Sequence, residues 1–196
     1  MGFFSSIFGQ KQNINSEIQS QVKKQSNFGK DKLDFEFYEN VIDNIVVSDT
    51  LKSGLKIKLK QSFENPKSFY DDNDEFILSE RGLTYSKHKL LTSKFVLVDS
   101  LIEARQMTEV DWKEDEEEVR LWVNEIAKMK DYNLELSTDK KYGNDTLEVI
   151  QNIDRYELKP LNYCIEILDI DSDSYVFTII PLDRQKEVAE LFAKLK

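Results

Sequence analysis

Three aspartates alternate near the end of the chain, in a pattern typical of cation-binding loops. Asp169, Asp171 and Asp173 occupy every second position of the segment DIDSDS. Carboxylate oxygens are the ligands that Mg²⁺ and Ca²⁺ prefer, and such an ion can activate water for hydrolysis. Glu166, or the acidic run Glu109–Glu118, supplies further carboxylates. One hypothesis is therefore a metal-assisted hydrolase with a weak Mg²⁺ or Ca²⁺ site at the three aspartates.

The same aspartates also suit a turn between two strands. A calcium loop needs a glycine at its sixth position and a glutamate at its twelfth, where this chain has Ser174 and Ile180. Asp and Ser side chains accept hydrogen bonds from nearby backbone amides and so stabilise tight turns. We therefore expect a hairpin turn here in preference to a metal cage. Apart from a weak cation site, no cofactor is predicted.

Histidine and cysteine are too scarce for several common kinds of catalytic site. His88 is the single histidine, between Lys87 and Lys89, and Cys164 is the single cysteine. A nucleophilic triad would depend wholly on His88, and a structural zinc site needs about four imidazole or thiolate ligands. The scattered glycines form no phosphate-binding loop motif. We assign no catalytic residue.

Two groups of apolar residues are candidates for contact with another protein. Trp112 adjoins the acidic run, and aromatic residues are enriched at interface hot spots, although packing in the core is the competing interpretation. Phe3, Phe4, Ile7 and Phe8 form an apolar head on a positively charged N-terminal arm. Such an arm can dock on a partner or touch a membrane surface. Packing on its own domain, or fraying, is the alternative.

Composition sets the broad class of the protein. The chain has 196 residues, of which 40% are hydrophobic, enough for one domain with its own core. We expect an arm over residues 1–30 and a single domain over residues 31–196. A formal charge of −10 disfavours nucleic acid as a partner. A cytoplasmic protein without a transmembrane segment is expected, because neither a signal peptide nor a run of about 20 apolar residues is visible.

The elements that position these residues follow from the spacing of apolar side chains. Helical spacing predicts helices over residues 33–46, 90–105 and 116–130, and from Asp145 and Asp183 onward. Alternation predicts strands at 55–60, with lysines outward, at 76–78 and 107–112, and in a hairpin of 163–168 and 175–180. Asp115, with Glu118 three residues later, forms a capping box, and Trp122 and Ile126 are expected to face the core. The fold class is α+β: a small, mainly antiparallel sheet with a C-terminal β-hairpin, covered by amphipathic helices.

Two segments in the second half of the chain carry a resemblance. They are DWKED at Asp111–Asp115, leading into a predicted helix, and LDIDSDSYVF at Leu168–Phe177. Together they resemble a family of uncharacterised bacterial proteins, a domain of unknown function, over roughly residues 90–196. The resemblance implies a helix-and-sheet domain in a bacterial cytoplasm, with no established activity and no catalytic residue to carry over.

The lack of catalytic constellations, the acidic composition and the apolar arm favour a non-catalytic protein-interaction module. The expected partner is another protein. The alternative is the metal-assisted hydrolase at Asp169, Asp171 and Asp173. An enzyme should have an enclosed pocket where carboxylates converge, whereas a binding module should have an apolar groove or patch with a polar rim.

Overall fold

The computed structural model describes residues 34–64, 77–78, 83–84, 93–139 and 141–195. The chain divides into two units, Met1–Lys32 and Leu33–Lys196, and all the described residues belong to the second. The predicted arm, with Phe3, Phe4, Ile7 and Phe8, lies outside the described residues, as does His88. No helix within the described ranges is long and apolar enough to cross a bilayer.

Helices account for most of the described residues. In chain order they are α1 (Phe35–Ile45), α2 (Asp49–Glu64), α3 (Ser93–Glu103), α4 (Glu116–Met129), α5 (Thr146–Ile153) and α6 (Gln185–Leu195). A π-helical turn, Asp154–Leu158, and a 3-10 turn, Lys159–Leu161, continue α5. A second 3-10 turn, Leu182–Arg184, leads into α6.

The strands form two antiparallel sheets. A short pair joins β1 (Ile77–Leu78) to β2 (Leu83–Thr84). The larger sheet contains β3 (Thr108–Val110), β4 (Tyr163–Leu168) and β5 (Tyr175–Pro181), in the order β3-β5-β4. In it Ile165 lies opposite Ile179, and Glu109 lies opposite Val176. The β4–β5 hairpin, and with it the α+β class, confirms the prediction from alternation.

Aspartate side chains begin three of the helices. Asp34, Asp115 and Asp145 accept hydrogen bonds from the third backbone amide of α1, α4 and α5, at 2.9, 3.1 and 2.8 Å. Each bond satisfies an amide that has no partner within its helix. The predicted starts of α4 and α5 are therefore confirmed.

The hairpin is buried on both faces. Ile165, Phe177 and Ile179 pack in one hydrophobic cluster with residues of α4 and α5. Cys164 and Ile180 point to the opposite face and are buried as well, and α1 and α6 contact the hairpin. Helices on both faces explain why both faces of the hairpin carry mainly apolar residues, with Glu166 and Thr178 as the polar exceptions.

The predicted strand at residues 55–60 is wrong, because these residues lie within α2. Leu55 and Leu59, one helical turn apart, are buried, whereas Ile57 is 61% exposed. A strand would have placed all three on one face. Within α4, Ile126 is buried as predicted, but Trp122 is only partly buried, with the Arg105 guanidinium 5.0 Å from its ring centre.

Candidate functional site

The three alternating aspartates lie in the exposed turn between β4 and β5. An Asp169 carboxylate oxygen accepts a hydrogen bond from the Asp171 backbone amide at 3.0 Å. Asp171 has a left-handed backbone, with φ of 57°, which aspartate tolerates better than most residues. Across the described part of the chain, no group of three or more His, Cys, Asp or Glu is arranged to hold a metal ion. The weak cation site stays a prediction, to be tested by calcium and magnesium titration of wild type and an Asp171→Asn, Asp173→Asn variant.

Several carboxylates of the acidic run Glu109–Glu118 accept hydrogen bonds that stabilise the fold. Glu109 is buried and accepts a hydrogen bond from the Ser174 hydroxyl. Asp111 accepts one from the Lys113 backbone amide at 2.8 Å, and Asp115 caps α4. These contacts bind the run to the hairpin and to its own turn.

Trp112 lies at the surface, 48% exposed, in the turn two residues after β3. The Lys113 ammonium nitrogen lies 4.5 Å from its ring centre. Its backbone carbonyl accepts a hydrogen bond from the Thr146 hydroxyl at 2.8 Å, which ties this turn to the start of α5. The exposed ring leaves the predicted interaction role of Trp112 open to test.

A buried guanidinium is the centre of the largest charge cluster among the described residues. Arg120 Nε donates to Glu116 at 2.8 Å, and Nη2 donates to Glu157 at 2.8 Å. Nη1 donates to the Ser137 carbonyl at 3.0 Å and to Glu157 at 3.2 Å. Nη2 also lies 2.7 Å from Glu116. Since each N–H of the fork has an acceptor, Arg120 has no donor left for a ligand.

Glu116 extends this cluster to the loop between α4 and α5. Its carboxylate accepts the backbone amides of Lys141 at 2.8 Å and Tyr142 at 2.7 Å. Burial raises the pKa of Glu116, but these two amides and Arg120 together lower it below its ordinary value. Burial also raises the pKa of Glu157, but hydrogen bonds from Arg120, Tyr142 and Lys141 together lower it below its ordinary value. The cluster therefore holds ionised carboxylates that fix the loop onto α4.

Lys130 is the second buried cation. Its amine donates to the Ile45 carbonyl at 2.8 Å, the Thr178 hydroxyl at 2.7 Å and the Ile179 carbonyl at 2.9 Å. Burial lowers the pKa of Lys130 to about 7. The amine thus joins the end of α4 to α1 and β5, and its three donors are all used by the protein itself.

Sequence reasoning singled out neither of these buried cations. Two signals were available: Glu116 and Arg120 are four residues apart, the spacing of a helical ion pair, and Lys130 follows Ile126 by four residues on the apolar stripe. Glu157 carried no such signal, because it is far from Arg120 in the sequence. Neither cluster presents free groups to a substrate.

An open groove lies between α2 and α3, with a volume of about 500 Å³. Its lining residues are Ser48, Thr50, Leu51, Gly54, Leu55, Lys58, Ser100, Glu103 and Ala104. At Gly54 the groove is open with respect to the described residues, since an added Cβ would meet none of their atoms within 4 Å. Lys58 and Glu103 form an ion pair of 2.9 Å beside the apolar lining. The arrangement is an apolar groove with charged groups at its rim, and Glu103 is its one carboxylate among the described residues.

Comparison with known proteins gives one match. The family model described as Domain of unknown function (DUF6630) matches residues 46–196, from the start of α2 through α6. No curated protein and no solved structure matches the chain. The match covers most of the chain and contains both segments that carried the resemblance. The chain belongs to the DUF6630 family, a family defined by a domain of unknown function.

Proposed function

We propose that this protein is a non-catalytic protein-interaction module, and that an amphipathic helix of a partner protein docks in the groove between α2 and α3. The observation that carries the proposal is the groove itself, apolar along Leu51, Leu55 and Ala104 and open at Gly54. Grooves of this kind bind helices that present apolar side chains every three to four residues.

Gly54 favours a helical occupant. A third helix packs against two others at an axial distance of about 8–10 Å, and small residues at the contact permit the shorter distances. Glycine in a helix interior costs roughly 1 kcal/mol relative to alanine. Among the described residues no packing requires this glycine, because none of their atoms lies within 4 Å of an added Cβ. A glycine at this position would allow a partner helix to approach α2 closely, which explains why a residue with low helix propensity occurs here.

Ile57 adds exposed apolar surface beside the groove. It follows Gly54 by three residues on α2, so the two lie on neighbouring turns of the same helix side, and it is 61% exposed. A helix in the groove would cover part of Ile57. The Lys58–Glu103 ion pair supplies the polar rim that protein interfaces have around an apolar centre.

The buried charged groups support a non-catalytic role. Arg120 is saturated by Glu116, Glu157 and Ser137, and Lys130 by three oxygens. A catalytic group needs a donor or acceptor that is free to bond with a substrate. These residues hold the fold together instead.

A capture experiment with three forms of the protein tests the proposal. Wild type, Gly54→Leu and Ser53→Leu are immobilised and exposed to extract of the native host. Gly54→Leu fills the groove, while Ser53→Leu adds the same side chain to an exposed position that does not line it. We expect a defined protein retained by wild type and Ser53→Leu and lost by Gly54→Leu. Retention of the same proteins by all three forms would contradict docking in the groove.

A further inference from the structure

A second, smaller cavity of about 230 Å³ lies where the end of α1, the start of α2 and the end of β5 meet. Its polar lining comes from Asn44, Lys52, Tyr132 and Arg184. Two of these four side chains are cationic and none is acidic. In a chain with a formal charge of −10, such a lining needs an explanation.

The two cations have capacity to bind a ligand. Lys52 is only 23% exposed, and its ammonium lies 3.6 Å from Asp49, a carboxylate that is 98% exposed and therefore weakly held. The Arg184 side chain is exposed, and its guanidinium makes no ion pair or hydrogen bond to another described residue. It lies close enough to Tyr132 to act on that phenol electrostatically.

Backbone and neighbouring groups reinforce the positive character. The cavity adjoins the N-terminal turn of α2, which contains Lys52, and the turn Leu182–Arg184 that leads into α6. A helix N-terminus carries a partial positive charge. The Lys130 amine donates to the carbonyl of Ile45, a residue of the cavity wall. Two carboxylates lie near the lining: Asp49 beside Lys52, and Glu187, which accepts a hydrogen bond from Asn44 at 3.1 Å.

We propose that this cavity binds a compact oxyanion, the carboxylate or phosphate group of a small molecule, through Lys52 and Arg184. Tyr132, whose hydroxyl has no hydrogen-bond partner in the described ranges, supplies a neutral donor. Bidentate binding by a guanidinium suits the planar geometry of both kinds of oxyanion. The volume is below the roughly 300 Å³ at which ordinary ligand sites begin, so the ligand is small.

Calorimetric titration of the full chain tests this site with two probes, inorganic phosphate and succinate, at constant ionic strength. The variants are Lys52→Gln, Arg184→Gln and their combination. Lys186→Gln is the matched control, since Lys186 is exposed on α6 and does not line the cavity. Thermal unfolding of each variant shows whether it is folded. If the double variant does not fold, the two single variants are compared with wild type instead.

We expect saturable binding of at least one probe by wild type and by Lys186→Gln. Loss of one charge-assisted contact should weaken that binding at least about tenfold in each single variant. Tighter binding of phosphate or of succinate then identifies the class of ligand. The absence of binding to both probes, or equal affinity in wild type and the combined variant, would overturn the proposal. An equal loss of affinity in Lys186→Gln and in the site variants would also overturn the proposal. It would show that binding depends on the net charge of the protein and not on this cavity.

Discussion

Lys130 brings an amine into the protein interior and completes the hydrogen bonding of two chain segments there. Ile45 ends α1, so its carbonyl has no acceptor role within that helix. β3 pairs only with residues 175–177 of β5, and the Ile179 carbonyl lies beyond the end of that pairing. Lys130 donates to both carbonyls. The Lys130 side chain thus provides, at Ile179, a hydrogen-bond donor that β3 does not provide beyond Phe177.

The first prediction concerns how stability depends on pH through Lys130. In the folded protein the Lys130 pKa is lowered from 10.5 to about 7, so between these values the unfolded chain binds a proton that the folded chain has released. Stability due to this group therefore rises with pH, by up to about 1.4 kcal/mol per pH unit. Urea unfolding of wild type and Lys130→Met across this range measures the effect as the difference between them.

The difference between the two forms should grow in favour of wild type as the pH rises from about 7 to 10. Other titrating groups are shared by wild type and Lys130→Met, so their contributions cancel. A constant difference over the whole range would mean that the three acceptor oxygens keep the amine charged in the folded protein, contrary to the prediction.

The second prediction concerns Arg120. Arg120→Leu leaves the buried Glu116 without its cation, and removing one partner of a buried ion pair costs about 3–5 kcal/mol. Arg155→Leu is the control, because Arg155 is exposed, and it should change stability by less than about 1 kcal/mol. Chemical unfolding of both variants at neutral pH measures the two costs. Similar values for the two would show that the cluster adds little to stability.

The same cluster predicts a dependence on acid. The pKa values of Glu116 and Glu157 are both lowered below the ordinary 4.5. Each carboxylate therefore stabilises the folded state above that pH, and the contribution is lost as the pH falls through the folded-state pKa. Unfolding of wild type between about pH 6 and 3 should show this loss, and Arg120→Leu should show a smaller one. An identical acid profile in both forms would contradict the role assigned to Arg120.

At the scale of elements, α2 shows why an alternating pattern is ambiguous. Leu55, Ile57 and Leu59 alternate with lysines, which is the pattern of an edge strand. The same segment also has leucine at positions 51, 55 and 59, four residues apart, and lysine is a good helix former. Packing against α1 and α3 stabilises this segment as a helix, and in the helix Ile57 lies at the surface. The capping aspartates of α4 and α5 were predictable because their bonds are local.

The third prediction distinguishes the two faces of α2. Leu59→Ala removes a buried side chain and should cost about 2–5 kcal/mol, whereas Ile57→Ala removes an exposed one and should cost less than about 1 kcal/mol. Thermal or chemical unfolding of the two variants gives the comparison. Equal costs would indicate that Ile57 is buried, as it would be on the inward face of a strand.

At the scale of the whole molecule, the limit of sequence reasoning lies in contacts between distant residues. The hairpin and the starts of α4 and α5 depend on neighbours within a few residues, and these were predicted, as was the α+β class. The cluster of Arg120 with Glu157, the contact of Lys130 with Thr178 and the groove beside Gly54 depend on how elements pack. The aspartate turn was predictable in shape, because the Asp169–Asp171 bond spans two residues.

Gly54→Leu separates docking in the groove between α2 and α3 from folding, because the substitution should weaken binding of the partner without lowering stability. The added Cβ meets no described atom within 4 Å, and the substitution removes a helix-interior glycine, so the variant should unfold no more easily than wild type. Titration of the captured partner against both purified forms measures the affinities. We expect Gly54→Leu to bind at least about tenfold more weakly, a loss of about 1.4 kcal/mol. Equal affinity of the two forms, with Gly54→Leu fully folded, would contradict docking in this groove.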